Sequence, residues 1–130
     1  MSQYQSVKKG WVEVDGKTMY MKSMWEVYYC AYLSHLKKLG KILEYHYEPD
    51  TFWFDSIKRG TNNYKPDFLV EHMNGALEYI EVKGYATAKD RTKWKRMAKY
   101  YPNVNLRVVD KEFFSANMKS LKILASALKF

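Results

Sequence analysis

The sequence predicts an α/β fold with a mixed central β-sheet flanked by helices, and three observations carry that expectation. Apolar and polar residues alternate along residues 42–47, 64–71 and 77–82, the period of a half-buried strand. Apolar residues recur at helical spacing in residues 24–39, 88–100 and 112–128. The two patterns interleave in the order helix, strands, helix, strand, helix, which suits helices layered on a sheet. At 130 residues and 47% hydrophobic content, the chain is expected to form a single domain, with no repeat, linker or low-complexity tract.

Residues 1–22 read as a weakly ordered lead followed by a small hairpin. Its alternating runs 11–14 and 18–21 surround Asp15-Gly16, a pair suited to a tight turn. Residues 24–39 place Trp25, Tyr28, Tyr29, Tyr32, Leu33, Leu36 and Leu39 at helical spacing and stop at Gly40, a natural C-terminal signal. Strands follow at 42–47, 51–54, 64–71 and 77–82, with 57–63 a polar, mobile loop between them. A helix over 88–100 ends before Pro102, 105–109 reads as a further strand, and 112–128 as a closing amphipathic helix.

The hairpin joining residues 64–71 to 77–82 holds the most informative residues, and its register decides what they can do. A two-residue Asn74-Gly75 turn would set Asp67 opposite Val82 and point the aspartate away from Glu81 and Lys83. A three-residue loop, Met73-Asn74-Gly75, with Gly75 left-handed as a bulge, sets Asp67 opposite Glu81 instead. Phe68, Val70, Ile80 and Val82 then form a core face, and Asp67, Glu81 and Lys83 share the other. The three-residue loop is therefore predicted. Glu81 and Lys83 alone could be solvated charges on a half-exposed strand. The larger pattern, with Pro66-Asp67 before the hairpin and Gly84 after the lysine, is far more specific.

Pro66-Asp67 and Glu81-Val82-Lys83 resemble the motif of the PD-(D/E)XK nuclease superfamily. Over most of its length the chain resembles two of its branches, the phage endonuclease-I-type Holliday junction resolvases and the TnsA-like transposon endonucleases. The resemblance implies a restriction-endonuclease-like core over residues 23–130, in which Asp67 and Glu81 hold a divalent cation and Lys83 assists the attacking water. It also implies that the Val82 carbonyl adds a ligand and that Glu26, on the helix before the sheet, supplies a further one. Ser23 and Glu26 equally spell a capping box, so two roles compete for that glutamate. Mg²⁺, with Mn²⁺ able to substitute, is the cofactor so implied; a hard cation suits carboxylate and water oxygens and can activate water against a phosphodiester. A second pair, Pro49-Asp50, is assigned to a turn, because its distance from Glu81 would need a long excursion between paired strands.

A net charge of +8 favours a polyanionic partner, DNA above all. Lys89, Arg91, Lys93, Lys95, Arg96 and Lys99 follow the Glu-Val-Lys strand, Lys58 and Arg59 lie in the polar loop, and Lys37, Lys38 and Lys41 form a second group. Such clusters are often only solvated faces, and proximity to the acidic motif favours the first as a DNA contact. Trp53, Phe54, Tyr85 and Trp94 are candidates for a stacking surface. His35, His46 and His72 lack metal-ligand spacing, and the lone Cys30 suits a packed thiol in a reducing compartment. With no apolar signal core and no run near ~18 apolar residues, a cytoplasmic protein is expected, in the host cytoplasm if phage-encoded. A chain this small has no evident domain for reading base sequence. The expected activity is therefore Mg²⁺-dependent, structure-selective cleavage of branched DNA by a homodimer. The alternatives are a TnsA-like strand-cleaving subunit acting with a recombination or transposition partner, and a non-catalytic DNA-binding module.

Overall fold

In a computed structural model that describes residues 10–128, the chain is a mixed α/β fold. The expected lead at residues 1–9 lies outside the described residues, as do 129 and 130. Strands β1 (Gly10–Val14) and β2 (Lys17–Met21) form an antiparallel hairpin, with Asp15 and Gly16 at φ of 52° and 78°, as a two-residue type I′ turn requires. Val12, Val14 and Met21 turn inward from it. Helix α1 (Met24–Lys38) starts at Ser23, whose side chain accepts the Glu26 N–H, and ends where Gly40 takes a φ of 72°.

The main sheet has the order β3 (Ile42–Tyr47), β6 (Phe68–His72), β7 (Leu77–Val82), β8 (Leu106–Val109). The first three strands are antiparallel to their neighbours and β8 joins β7 in parallel, so the sheet is mixed. Between β3 and β6 lies a separate two-stranded ribbon, β4 (Phe52–Trp53) and β5 (Asn63–Tyr64). Helix α2 (Ala88–Tyr100) makes the crossover from β7 to β8, and α3 (Lys111–Ala125) closes the described chain.

One sheet face, with Phe68, Val70, Ile80, Val82 and Val109, packs with α1, α3 and the β1–β2 hairpin as the main core. The opposite face is covered as well. Phe54, Tyr64 and Met97 are buried there, with Phe52, Trp94, Tyr101 and Leu106 against them.

One expectation changes. The single strand expected over residues 64–71 is split into β5 and β6 by Lys65-Pro66-Asp67. Proline has no N–H for the ladder, so pairing stops at Pro66 and restarts at Phe68. On the face carrying Asp67 and Glu81, side chains of α2 and of the β4–β5 ribbon form the second core, and both carboxylates are buried. The hairpin register is as predicted: Phe68 faces Ile80 and Leu69 faces Tyr79, which carries Asp67 opposite Glu81. Met73, Asn74 and Gly75 form the loop, closed by bonds from the His72 N–H to Ala76 O (2.8 Å) and the Gly75 N–H to His72 O (2.9 Å). Gly75 has a φ of 88°, where a side chain would be strained.

Candidate active site

Three elements bring polar residues to one cleft of about 610 Å³. The first turn of α1 supplies Glu26, the residue before β6 supplies Asp67, and β7 with its exit supplies Glu81, Val82 and Lys83. All five residues expected in the catalytic and metal sets therefore line the same space. The three carboxylate residues are almost wholly buried, at 7% exposure for Glu26, 5% for Asp67 and 7% for Glu81.

Each acid is held through one oxygen. Tyr47 donates its hydroxyl to Glu26 Oε1 at 2.6 Å, and the Lys22 N–H donates to the same atom at 3.1 Å. Tyr64 donates to Glu81 Oε1 at 2.7 Å, and the Val82 N–H donates to Asp67 Oδ2 at 2.7 Å. Among the described residues no hydrogen-bond donor engages the second oxygen of any of the three, and none of these oxygens is a sealed, unpartnered atom. The competition over Glu26 is thus divided between atoms. Ser23 caps the helix, Oε1 of Glu26 ties back to Lys22 and Tyr47, and Oε2 remains available.

Four lysines, Lys22, Lys65, Lys83 and Lys93, line the cleft with four acids. The ammonium of Lys22 pairs with Glu48, and that of Lys83 lies 3.5 Å from Asp90 Oδ1. Among the described residues, Glu26, Asp67 and Glu81 therefore feel these charges through space and form no ion pair of their own. Burial, then Glu81 and Glu26, push the Asp67 carboxyl well above the usual carboxylate range, against the Val82 N–H and Lys22. Burial likewise raises Glu81, opposed by the Tyr64 hydroxyl and Lys83 and reinforced by Asp90 and Glu26. Asp90 goes the other way. Burial raises it, but the Thr87 N–H and hydroxyl, together with Lys83, hold it below the ordinary range.

Among the described residues, no group of three or more His, Cys, Asp or Glu is arranged so that it could hold a metal ion by itself. The donor chemistry nevertheless fits a hard divalent cation. Three buried carboxylates each keep an oxygen outside the hydrogen-bond network of the described residues, and none of them forms an ion pair there. Such a set suits an ion that keeps part of its water shell rather than one enclosed by protein.

The expected DNA contacts separate. Lys93 lines the cleft, its ammonium 6.0 Å from the centre of the Tyr64 ring. Lys89, Lys95, Lys58 and Arg59 are exposed away from it. Arg91 Nη1 donates to Ala86 O at 2.9 Å, and Arg96 Nη1 donates to Thr61 O, so both guanidinium groups brace loops. In the second group, Lys37 pairs with Glu44 and Lys38 with Asp15. Of the four aromatic candidates, Phe54 and Trp94 belong to the second core, while Trp53 and Tyr85 are exposed. Asp50 accepts from Tyr79 at 2.5 Å, outside the cleft.

Sequence reasoning missed Tyr47 and Tyr64, the hydroxyls that orient the acids, and also Lys22, Lys65 and Asp90 in the lining. Asp90 had a readable signal. Thr87 and Asp90 are spaced as a capping box, and that box forms. The tyrosines had none, because each bond joins residues at least 17 positions apart.

Among the described residues, no helix is long and apolar enough to cross a membrane. A family model described as "Protein of unknown function (DUF1064)" matches residues 1–116. Neither the search of curated proteins nor that of solved structures found a match.

Proposed function

The chain belongs to the DUF1064 family, and from its cleft we propose that it is a Mg²⁺-dependent endodeoxyribonuclease with a restriction-endonuclease-like core, acting on branched DNA. One observation carries the reading. Glu26, Asp67 and Glu81, from three separate elements, are buried around one cleft with Lys83, and each has an oxygen free of hydrogen bonds from the described residues. Stability alone gives no reason to bury three acids that form no ion pair among the described residues, since each buried charge opposes folding.

Glu26, Asp67 and Glu81 would hold the cation, with the Val82 carbonyl as a further oxygen ligand. When bound, Mg²⁺ (or Mn²⁺) supplies the positive charge that polarises a phosphoryl oxygen and makes a nearby water more acidic. Lys83 places its ammonium at the same cleft, kept there by Asp90, where it can orient a water and offset negative charge developing on the phosphate. Lys22, Lys65 and Lys93 add positive charge around the acids, suited to the phosphates of a strand crossing the cleft. A homodimer would set two such sites on opposed strands of a junction.

The test compares a labelled four-way junction, a linear duplex of the same arms and a single strand, each with Mg²⁺ and with chelator. Metal-dependent cuts near the branch support the reading. Binding without cutting on every substrate would favour the second reading, a non-catalytic DNA-binding module. What supports that reading is that no three or more His, Cys, Asp or Glu among the described residues are arranged so that they could hold a metal ion by themselves.

A further inference from the structure

Tyr85 is 83% exposed, yet it lies in the lining of the cleft, two residues after Lys83. Its loop is anchored on both sides. At Gly84 the backbone meets the Trp25 ring so closely that a Cβ would fall 2.1 Å from a ring carbon. Trp25 is backed in turn by Phe114, with ring centres 4.5 Å apart and planes at 14°. On the other side, Arg91 holds the Ala86 carbonyl, and the Thr87–Asp90 box starts α2. A side chain on such a loop has a defined origin, and no hydrogen bond among the described residues engages its hydroxyl.

Resting on the nuclease reading above, we propose that Tyr85 is a stacking platform for an unpaired nucleobase of the bound strand, so that the cleft selects frayed or branched DNA over intact duplex. An aromatic face beside lysines is the combination that single strands require, because cations meet the backbone while the ring meets a base. Lys22, Lys65 and Lys93 supply the cations within the same lining. An intact duplex keeps its base faces stacked inside and offers Tyr85 only edges and phosphates. Among the described residues, the other large exposed aromatics do not share this position: Trp11 and Tyr20 sit on the β1–β2 hairpin and Trp53 on β4, all outside the cleft lining.

The experiment places 2-aminopurine at successive positions of a forked DNA and of the matching duplex. Each DNA is titrated with the whole chain in chelator, and cleavage in Mg²⁺ is followed in parallel. The wild type and Tyr85→Phe should quench the probe at one unpaired position. Tyr85→Ala should lose that quenching and bind the fork about 5- to 100-fold more weakly, with duplex affinity changed by less than about twofold. Equal loss on both DNAs, or no loss on the fork, overturns the proposal. Cleavage that continues with Tyr85→Ala indistinguishable from wild type would sink the stacking role alone. Fork-selective binding lost in Tyr85→Ala, with no cleavage by the wild type, would sink the nuclease reading and leave the stacking role. Failure to bind any of these DNAs overturns both.

Discussion

Replacing Asp67 by asparagine should make the protein more stable in the absence of metal, and more so as pH rises. The asparagine Oδ1 can keep the bond from the Val82 N–H, while the negative charge disappears. In the fold, burial, Glu81 and Glu26 push the wild-type carboxyl from its ordinary 3.8 up to about 8. Between those values the folded protein holds a proton that the unfolded chain has released, so stability falls as pH rises through the window and levels off above it. Each pH unit in the window is worth about 1.4 kcal/mol. Moving from pH 5 to pH 8 therefore costs the wild type on the order of 3 kcal/mol, a large share of the ~5–15 kcal/mol typical of a domain. The variant escapes this loss, and its advantage should grow by that amount over the same range. Urea unfolding followed by tryptophan fluorescence at both pH values, in chelator, gives the number. Adding Mg²⁺ at pH 8 should then raise the midpoint of the wild type and leave Asp67→Asn unmoved. If the variant is instead destabilised equally at pH 5 and pH 8, Asp67 is a structural acceptor and the charge argument fails.

Tyr47→Phe and Tyr64→Phe should each weaken Mg²⁺ binding by roughly 10- to 100-fold, because outer partners orient the ligands; titration calorimetry reads this, and unchanged affinity would show that the hydroxyls serve only the fold. Lys83→Ala should abolish cleavage with a smaller loss of DNA binding, whereas a matching loss of folding by circular dichroism would mark Lys83 as the structural partner of Asp90. Gly84→Ala forces a methyl into the Trp25 ring and should cost about 1–3 kcal/mol in urea unfolding. A neutral result there would show that the ring and the first turn of α1 can yield.

What the sequence made legible was local or periodic. The run from Phe68 to Val82 contained its own register, because alternation on both sides and the glycine at position 75 agree only for a three-residue loop. The end of α2 was readable too, from Pro102 beyond its last turn, whereas the cap at Thr87 was overlooked. Reading residues 64–71 as one strand followed the alternation and underweighted Pro66, although loss of a ladder donor is a local fact. The basic cluster was harder to read for a different reason. Charge density near the motif is visible in one dimension, but whether Arg96 reaches DNA or the Thr61 carbonyl depends on how α2 lies over the ribbon. The orienting tyrosines lay beyond local reasoning, since Tyr47 finds Glu26 only after β3 and α1 have packed.

The loop at residues 73–75 also bears on how such a chain can drift in length. Because side chains alternate on a strand, the pairing of Asp67 with Glu81 survives only changes of loop length that leave His72 and Ala76 as the flanking pair. A change that slips this pair by one residue would leave a plausible hairpin and part the two acids. The segment between β4 and β5 is under no such rule, because its ends are paired in a ribbon separate from the sheet that aligns the acids. Length variation among members of the family should therefore collect in residues 55–62 and spare 73–75. That asymmetry would be a signature of selection on the acids rather than on the hairpin.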